Sequence, residues 1–150
     1  MEQRLASIEQ VREQAGALFG NGYHCAEAVV RSVLDHLGGD GAKTAALATA
    51  FGGGFANSQE ETCGAISGAL IVVGSFFGRR KPAPEWRMAA EMGAEVRNDF
   101  LQAHGTTCCR TLCDRFGDEK QVDCCRQLVK GVAGGLYATL LKRAPDLQQG

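Results

Sequence analysis

The residues best able to do chemistry in this chain are its cysteines, seven among 150 residues, at positions 25, 63, 108, 109, 113, 124 and 125. In a reducing compartment such a set binds metal or does redox chemistry more often than it forms a static disulfide framework. The odd number agrees, since at least one thiol must stay unpaired within a chain. Cys63 stands out through its surroundings: Thr62-Cys63-Gly64-Ala65-Ile66-Ser67-Gly68 opens an apolar run that reaches Phe77. A thiol at the first turn of a helix meets unpaired N–H groups and the positive end of the macrodipole, which favour thiolate and raise nucleophilicity and metal affinity. Gly64, Ser67 and Gly68 let other backbone approach that turn. Glu60 and Glu61 suit a helix N-terminus but would oppose the thiolate if they pointed at the sulfur.

Spacing restricts how the others can join. Successive residues on a helix point about 100° apart, so Cys108 with Cys109, or Cys124 with Cys125, cannot both face one site, and one of each pair is a spare. Cys109 and Cys113 share a helical face at i, i+4 and could chelate an ion or form a redox pair, although a disulfide across an intact turn would be strained. The chain has no CxxC, which argues against a thioredoxin motif or a zinc ribbon. His24 beside Cys25 and His104 near Cys108 are possible ligands or bases, with surface placement the simpler reading. There is no Gly-x-Ser-x-Gly elbow, and Phe51-Gly52-Gly53-Gly54-Phe55 lacks the lysine of a phosphate-binding loop. No flavin motif is present either.

The elements that must position these thiols read as helices. Leu5, Ile8, Val11, Ala15 and Leu18 mark one helical face that Gly20-Asn21-Gly22 stops, and Cys25, Val29, Val33 and Leu37 begin a second stripe that Gly38-Gly39 ends. Ala42 to Phe51 is a short alanine-rich helix delivered into three glycines, a loop because glycine is entropically poor inside helix or strand. Cys63 to Phe77 is a central buried helix. Gly78 to Pro84 is an exposed loop whose three positive charges serve solubility, and Pro84-Glu85 starts a helix with Trp86 on its apolar face that runs to His104. Cys109 to Phe116 is a short helix capped near Thr106 or Thr107 and closed by Gly117. Gln121 to Leu141 is the last. The expectation is one all-α domain, a bundle of about six to seven helices spanning residues 1–150, with a tail at 144–150 that frays.

The net charge of −1, from 16 basic and 17 acidic residues, gives no electrostatic footprint for nucleic acid or an anionic membrane. The longest apolar run is shorter than the ~20 residues of a spanning helix, and the first residues lack a secretory pattern. The chain therefore reads as soluble and cytoplasmic.

Asn21-Gly22-Tyr23-His24-Cys25-Ala26-Glu27-Ala28-Val29, the Phe51-Gly-Gly-Gly turn, Cys63-Gly64-Ala65-Ile66-Ser67-Gly68, Cys109-Arg110-Thr111-Leu112 and Cys125-Arg126-Gln127-Leu128-Val129 occur together and in order. From about Phe19 to Leu141 the chain resembles the family named for its C_GCAxxG_C_C pattern, whose members are described as redox-active with no reaction assigned. The resemblance implies that the four characteristic cysteines are Cys25, Cys63, Cys109 and Cys125, with Cys108, Cys113 and Cys124 particular to this chain. It departs from the pattern where Cys113 follows Leu112 in place of a small residue. A related module occurs in a multihaem cytochrome that carries an iron–sulfur cluster, but this chain has no C-x-x-C-H for c-type haem.

Three readings follow. In the first, Cys25, Cys63, Cys109 and Cys125 converge at one end of the bundle and hold an iron–sulfur cluster or another thiophilic metal, exchanging electrons with a redox partner that the sequence leaves unidentified. In the second, the same thiols cycle between dithiol and disulfide without metal, Cys63 acting as low-pKa nucleophile and Cys25 or Cys109 as its resolving partner. In the third, the chain is a partner-binding helical module whose cysteines only pack, as small buried hydrophobes do.

Overall fold

The computed structural model describes residues 1–149 and is all helical. Seven α-helices follow one another: α1 (Glu2–Leu18), α2 (Cys25–Leu37), α3 (Gly41–Ala48), α4 (Gly64–Phe77), α5 (Arg87–His104), α6 (Cys109–Phe116) and α7 (Gln121–Arg143). The single turn Thr49–Phe51 is 3₁₀, so the expected helix over 42–51 ends early and tightens into the glycines.

The core is built on α2 and α4, each packed from several sides. Ala26, Val29, Val30 and Val33 of α2 and Ala65, Ala69 and Val72 of α4 are completely buried, with Val11 and Ala15 of α1 and Val129, Leu140 and Leu141 of α7 closing over them. Burying each such valine or leucine contributes about 1.5–3 kcal/mol. Small residues set how closely the two central helices approach. A Cβ placed on Gly68 would collide with the Ala26 carbonyl oxygen and lie 3.0 Å from both the carbonyl carbon and the Cα of Ala26.

Local chemistry fixes the helix ends. The buried Glu27 accepts from the His24 backbone N–H at 3.2 Å, which satisfies an unpaired donor at the start of α2, and its second oxygen accepts from the Thr49 hydroxyl at 3.2 Å. Asp40 accepts from the Lys43 N–H at 3.0 Å and caps α3. Gly38 and Gly105 end α2 and α5 in the left-handed conformation, with φ of 78° and 75°.

Further boundaries differ from the sequence reading. The fifth helix begins at Arg87 rather than at Pro84-Glu85, because the Glu85 carboxylate takes the Arg87 N–H at 2.6 Å, and Trp86 lies exposed instead of on the apolar face. The residue capping α6 is Cys108, while Thr106 supports it from outside by accepting the Cys108 N–H at 3.1 Å. The tail expected to fray forms a 3₁₀ turn over Pro145–Gln149, with Leu147 packed against the core; Gly150 lies outside the described residues.

Candidate functional site

The ends of α2, α4, α6 and α7 carry the thiols. Cys25 is the first residue of α2, Cys63 caps α4, Cys109 is the first residue of α6, and Cys125 is in the first turns of α7. A short antiparallel pairing between the two cysteine-bearing loops brings α4 and α6 together: the Cys63 N–H donates to the Thr107 carbonyl at 2.8 Å and the Cys109 N–H to the Glu61 carbonyl at 2.9 Å. Arg110 locks the pairing from outside, donating to the Glu60 carboxylate and at 3.2 Å to the Ser58 carbonyl.

Between α3 and Cys63 the backbone makes an uncommon turn. Gly53, Gly54, Phe55, Ala56 and Asn57 all have positive φ, between 51° and 65°, and Gln59 joins them at 62°. A left-handed residue other than glycine costs roughly 1–2 kcal/mol. Here the cost is offset by hydrogen bonds that close the turn, Ala56 N–H to Ala50 carbonyl at 2.8 Å, Gln59 N–H to Gly53 carbonyl at 2.8 Å, and Ser58 hydroxyl to Gly54 carbonyl at 2.7 Å. The turn presses Gly54 against the site. A Cβ there would stand 2.5 Å from the Cys109 Cβ and 3.2 Å from its sulfur. At Gly64 a Cβ would strike the Cys25 sulfur and come within 3.0 Å of the Phe51 carbonyl. Both glycines thus leave room that the sulfurs occupy.

Cys25, Cys63, Cys109 and Cys125 lie close enough for ionisation of one to be felt by the others. Cys63 is pushed far up, first by burial and then by Cys25, with smaller contributions from Cys109 and Cys125. Burial and then Cys113, followed by Cys25 and Cys109, push Cys125 up to about 12. Cys109 is likewise raised, by burial and then by Cys113. The expectation that Cys63 is a low-pKa thiolate is therefore corrected. Its sulfur does take the Ala65 N–H at the helix start, which lowers its pKa, but desolvation outweighs that bond. At neutral pH Cys63, Cys109 and Cys125 are protonated thiols.

Cys113 is the residue that the family pattern hides. It is buried, and its sulfur is 4.0 Å from that of Cys109, which brings a fifth thiol into the cluster. The i, i+4 spacing was the signal for it. Cys108 and Cys124 stand apart, as adjacency on a helix requires. Cys124 lines a groove with His104, Phe116 and Leu128, and the Cys108 thiol faces the outer edge of the paired loops, near the Glu60 carbonyl. The histidines take other places: His24 is exposed where it caps α2, and His104 packs its ring on Phe100 at 4.6 Å.

Cys108 is the thiol with a lowered pKa, held down by the Thr111 backbone N–H and hydroxyl. A lowered pKa gives more thiolate at any pH below it, so iodoacetamide at neutral pH should label Cys108 at least about tenfold faster than Cys63 in the native protein. Peptide mass spectrometry over a time course reads this order, and equal rates would contradict the burial of Cys63.

Among the described residues no three or more His, Cys, Asp or Glu side chains are arranged to hold a metal ion at one point, and no helix is long and apolar enough to cross a membrane. The model of the family described as "Putative redox-active protein (C_GCAxxG_C_C)" matches residues 23–138. Neither the curated proteins nor the solved structures compared with the chain contain a match.

Proposed function

The chain belongs to the C_GCAxxG_C_C family, and from that premise we propose a cysteine-based redox or electron-transfer protein in which Cys25, Cys63, Cys109 and Cys125 hold an iron–sulfur cluster or another thiophilic metal. One observation carries this reading. Cys25, Cys109 and Cys125, on three other segments, stand near enough to the buried Cys63 for each to oppose its ionisation. A cation relieves that opposition directly, because it stabilises the thiolates that the pocket otherwise disfavours.

The donors suit a cluster better than a single ion. Ligand sulfurs of one zinc ion sit about 2.3 Å from a common centre, and no three of these groups share such a point. Ligands of a cluster are divided among its irons and stand further apart. The missing Cβ atoms of Gly54 and Gly64 let the Cys109 and Cys25 side chains pack directly against the backbone at those points. When bound, such a centre supplies electron transfer at a potential set by burial and hydrogen bonds to its sulfurs.

The chain's own residues bind, orient and dehydrate. The backbone bonds from Cys63 to Thr107 and from Cys109 to Glu61 hold two ligands on adjoining loops. Burial of Cys63 keeps water from that side, and the Ala65 N–H is directed at its sulfur. The Cys63 and Cys125 sulfurs carry protons at neutral pH and must release them on ligation, so loading strengthens as pH rises. Protein isolated anaerobically should be brown and contain iron and acid-labile sulfide. A colourless, metal-free product that also stays empty after reconstitution with iron and sulfide would falsify the reading.

A further inference from the structure

The four-cysteine reading leaves Cys113 without a role, yet its thiol is buried within the same cluster. We propose that Cys109 and Cys113 are a redox-active dithiol that closes to a reversible intrahelical disulfide on meeting a low-molecular-weight disulfide. Their sulfurs are 4.0 Å apart, in contact without being bonded. Bonding requires about 2.05 Å, so the sulfurs must close by roughly 2 Å. That movement falls on the first turn of an eight-residue helix, which begins at Cys109. The Cys109 N–H of that turn is held outside the helix by the Glu61 carbonyl at 2.9 Å, so the closing is carried by rotation of the two side chains more than by movement of the backbone.

The two thiols differ in access, which divides the work. Cys109 is partly exposed and Cys113 is buried beneath it. The Cys109 thiol gives its proton to solvent and its sulfur attacks the external disulfide, which releases one thiolate that takes up a proton and leaves a mixed disulfide. The Cys113 sulfur then attacks the Cys109 sulfur and releases the second. Two protein thiols lose two electrons and two protons, and the external disulfide gains them as two thiols. A disulfide held across a helical turn is strained and correspondingly easy to reduce, which makes the change reversible.

The sequence supplies a clean readout. Trypsin cuts after Arg97, Arg110, Arg115, Lys120 and Arg126, placing Cys109 in Asn98–Arg110, Cys113 in Thr111–Arg115 and Cys125 in Gln121–Arg126. Metal-free full-length protein is treated with oxidised glutathione, the free thiols are alkylated, and the digest is read by mass spectrometry. The expected product is Asn98–Arg110 joined to Thr111–Arg115, with fragmentation placing the bond on Cys109; it persists in Cys108→Ser and reverts with dithiothreitol. In Cys113→Ser and Cys113→Ala, each checked for native helicity by circular dichroism, the glutathione adduct on Cys109 should accumulate about tenfold or more over wild type, because no internal thiol resolves it. A wild-type digest with Cys113 free, or joined instead to Gln121–Arg126, overturns the proposal, as does an adduct on Cys109 as abundant in wild type as in both variants. Only sulfur linkages are read, so the outcome stands whether or not the protein takes up iron.

Discussion

Replacing Cys63 with serine is expected to remove iron and sulfide from the anaerobically isolated protein, lowering both by at least about tenfold, while leaving the fold in place. The substitution is informative because it separates the sulfur from the structural work of the position. Cys63 caps α4, and serine is among the residues preferred there. The bond that ties the two loops runs from the Cys63 backbone N–H to Thr107, and no side-chain change removes it. Thermal stability of Cys63→Ser should therefore stay within a few degrees of wild type, about the shift that 1 kcal/mol gives in a chain of this size. Cys124→Ser is the matched control, since that thiol lines the groove beside His104 and Phe116. Iron and sulfide analysis of the two variants beside wild type decides the matter. Full retention in Cys63→Ser, or equal loss in Cys124→Ser, removes Cys63 from the ligand set.

The helical elements were legible because the signals for them are local. Apolar residues at helical spacing, glycines at 38, 105 and 117, and the cysteine at the start of the apolar run each state a boundary within a few residues. That one of Cys108 and Cys109, and one of Cys124 and Cys125, is spare also rests on local geometry, the angle between successive residues of a helix, whereas the family pattern implies which one. What stayed hidden depends on tertiary burial. From sequence, Cys63 has a helix dipole and a free N–H beside it and reads as a thiolate. Once Val29, Val72 and Val129 close the core and Cys25 faces Gly64, loss of water exceeds both effects and the thiol stays protonated. The turn over Gly53–Asn57 was legible only in part. Three glycines announce a loop, but left-handed backbone at Phe55, Ala56 and Asn57 goes with closures such as Ala56 N–H to Ala50 and Asn57 N–H to Gly52, which no residue type there signals.

The same dependence on closure makes Gly68 a position whose alteration should destabilise the protein. Gly68→Ala places a methyl against the carbonyl oxygen, carbonyl carbon and Cα of Ala26, all backbone of a central helix and unable to rotate away. Overpacking of this kind costs typically 1–3 kcal/mol, and the better helix propensity of alanine returns at most about 1 kcal/mol. The net loss is about 1 kcal/mol and at most about 2, a fall in Tm of roughly 2–8 °C. Gly74, two turns along the same helix, has open space around its missing Cβ. Gly74→Ala should raise stability by about 0.5–1 kcal/mol, since only propensity changes. Opposite signs from one chemical change in one helix would show that close approach of α2 and α4, rather than glycine's flexibility, fixes residue 68. Ala26 follows Cys25 directly, so any outward shift of α2 carries a thiol with it, and Gly68→Ala should also weaken iron retention while Gly74→Ala leaves it unchanged. Thermal denaturation of both variants, read beside their iron content, tests the coupling; Gly68→Ala as stable as wild type would mean that α2 and α4 separate at no cost and that the site does not depend on their contact.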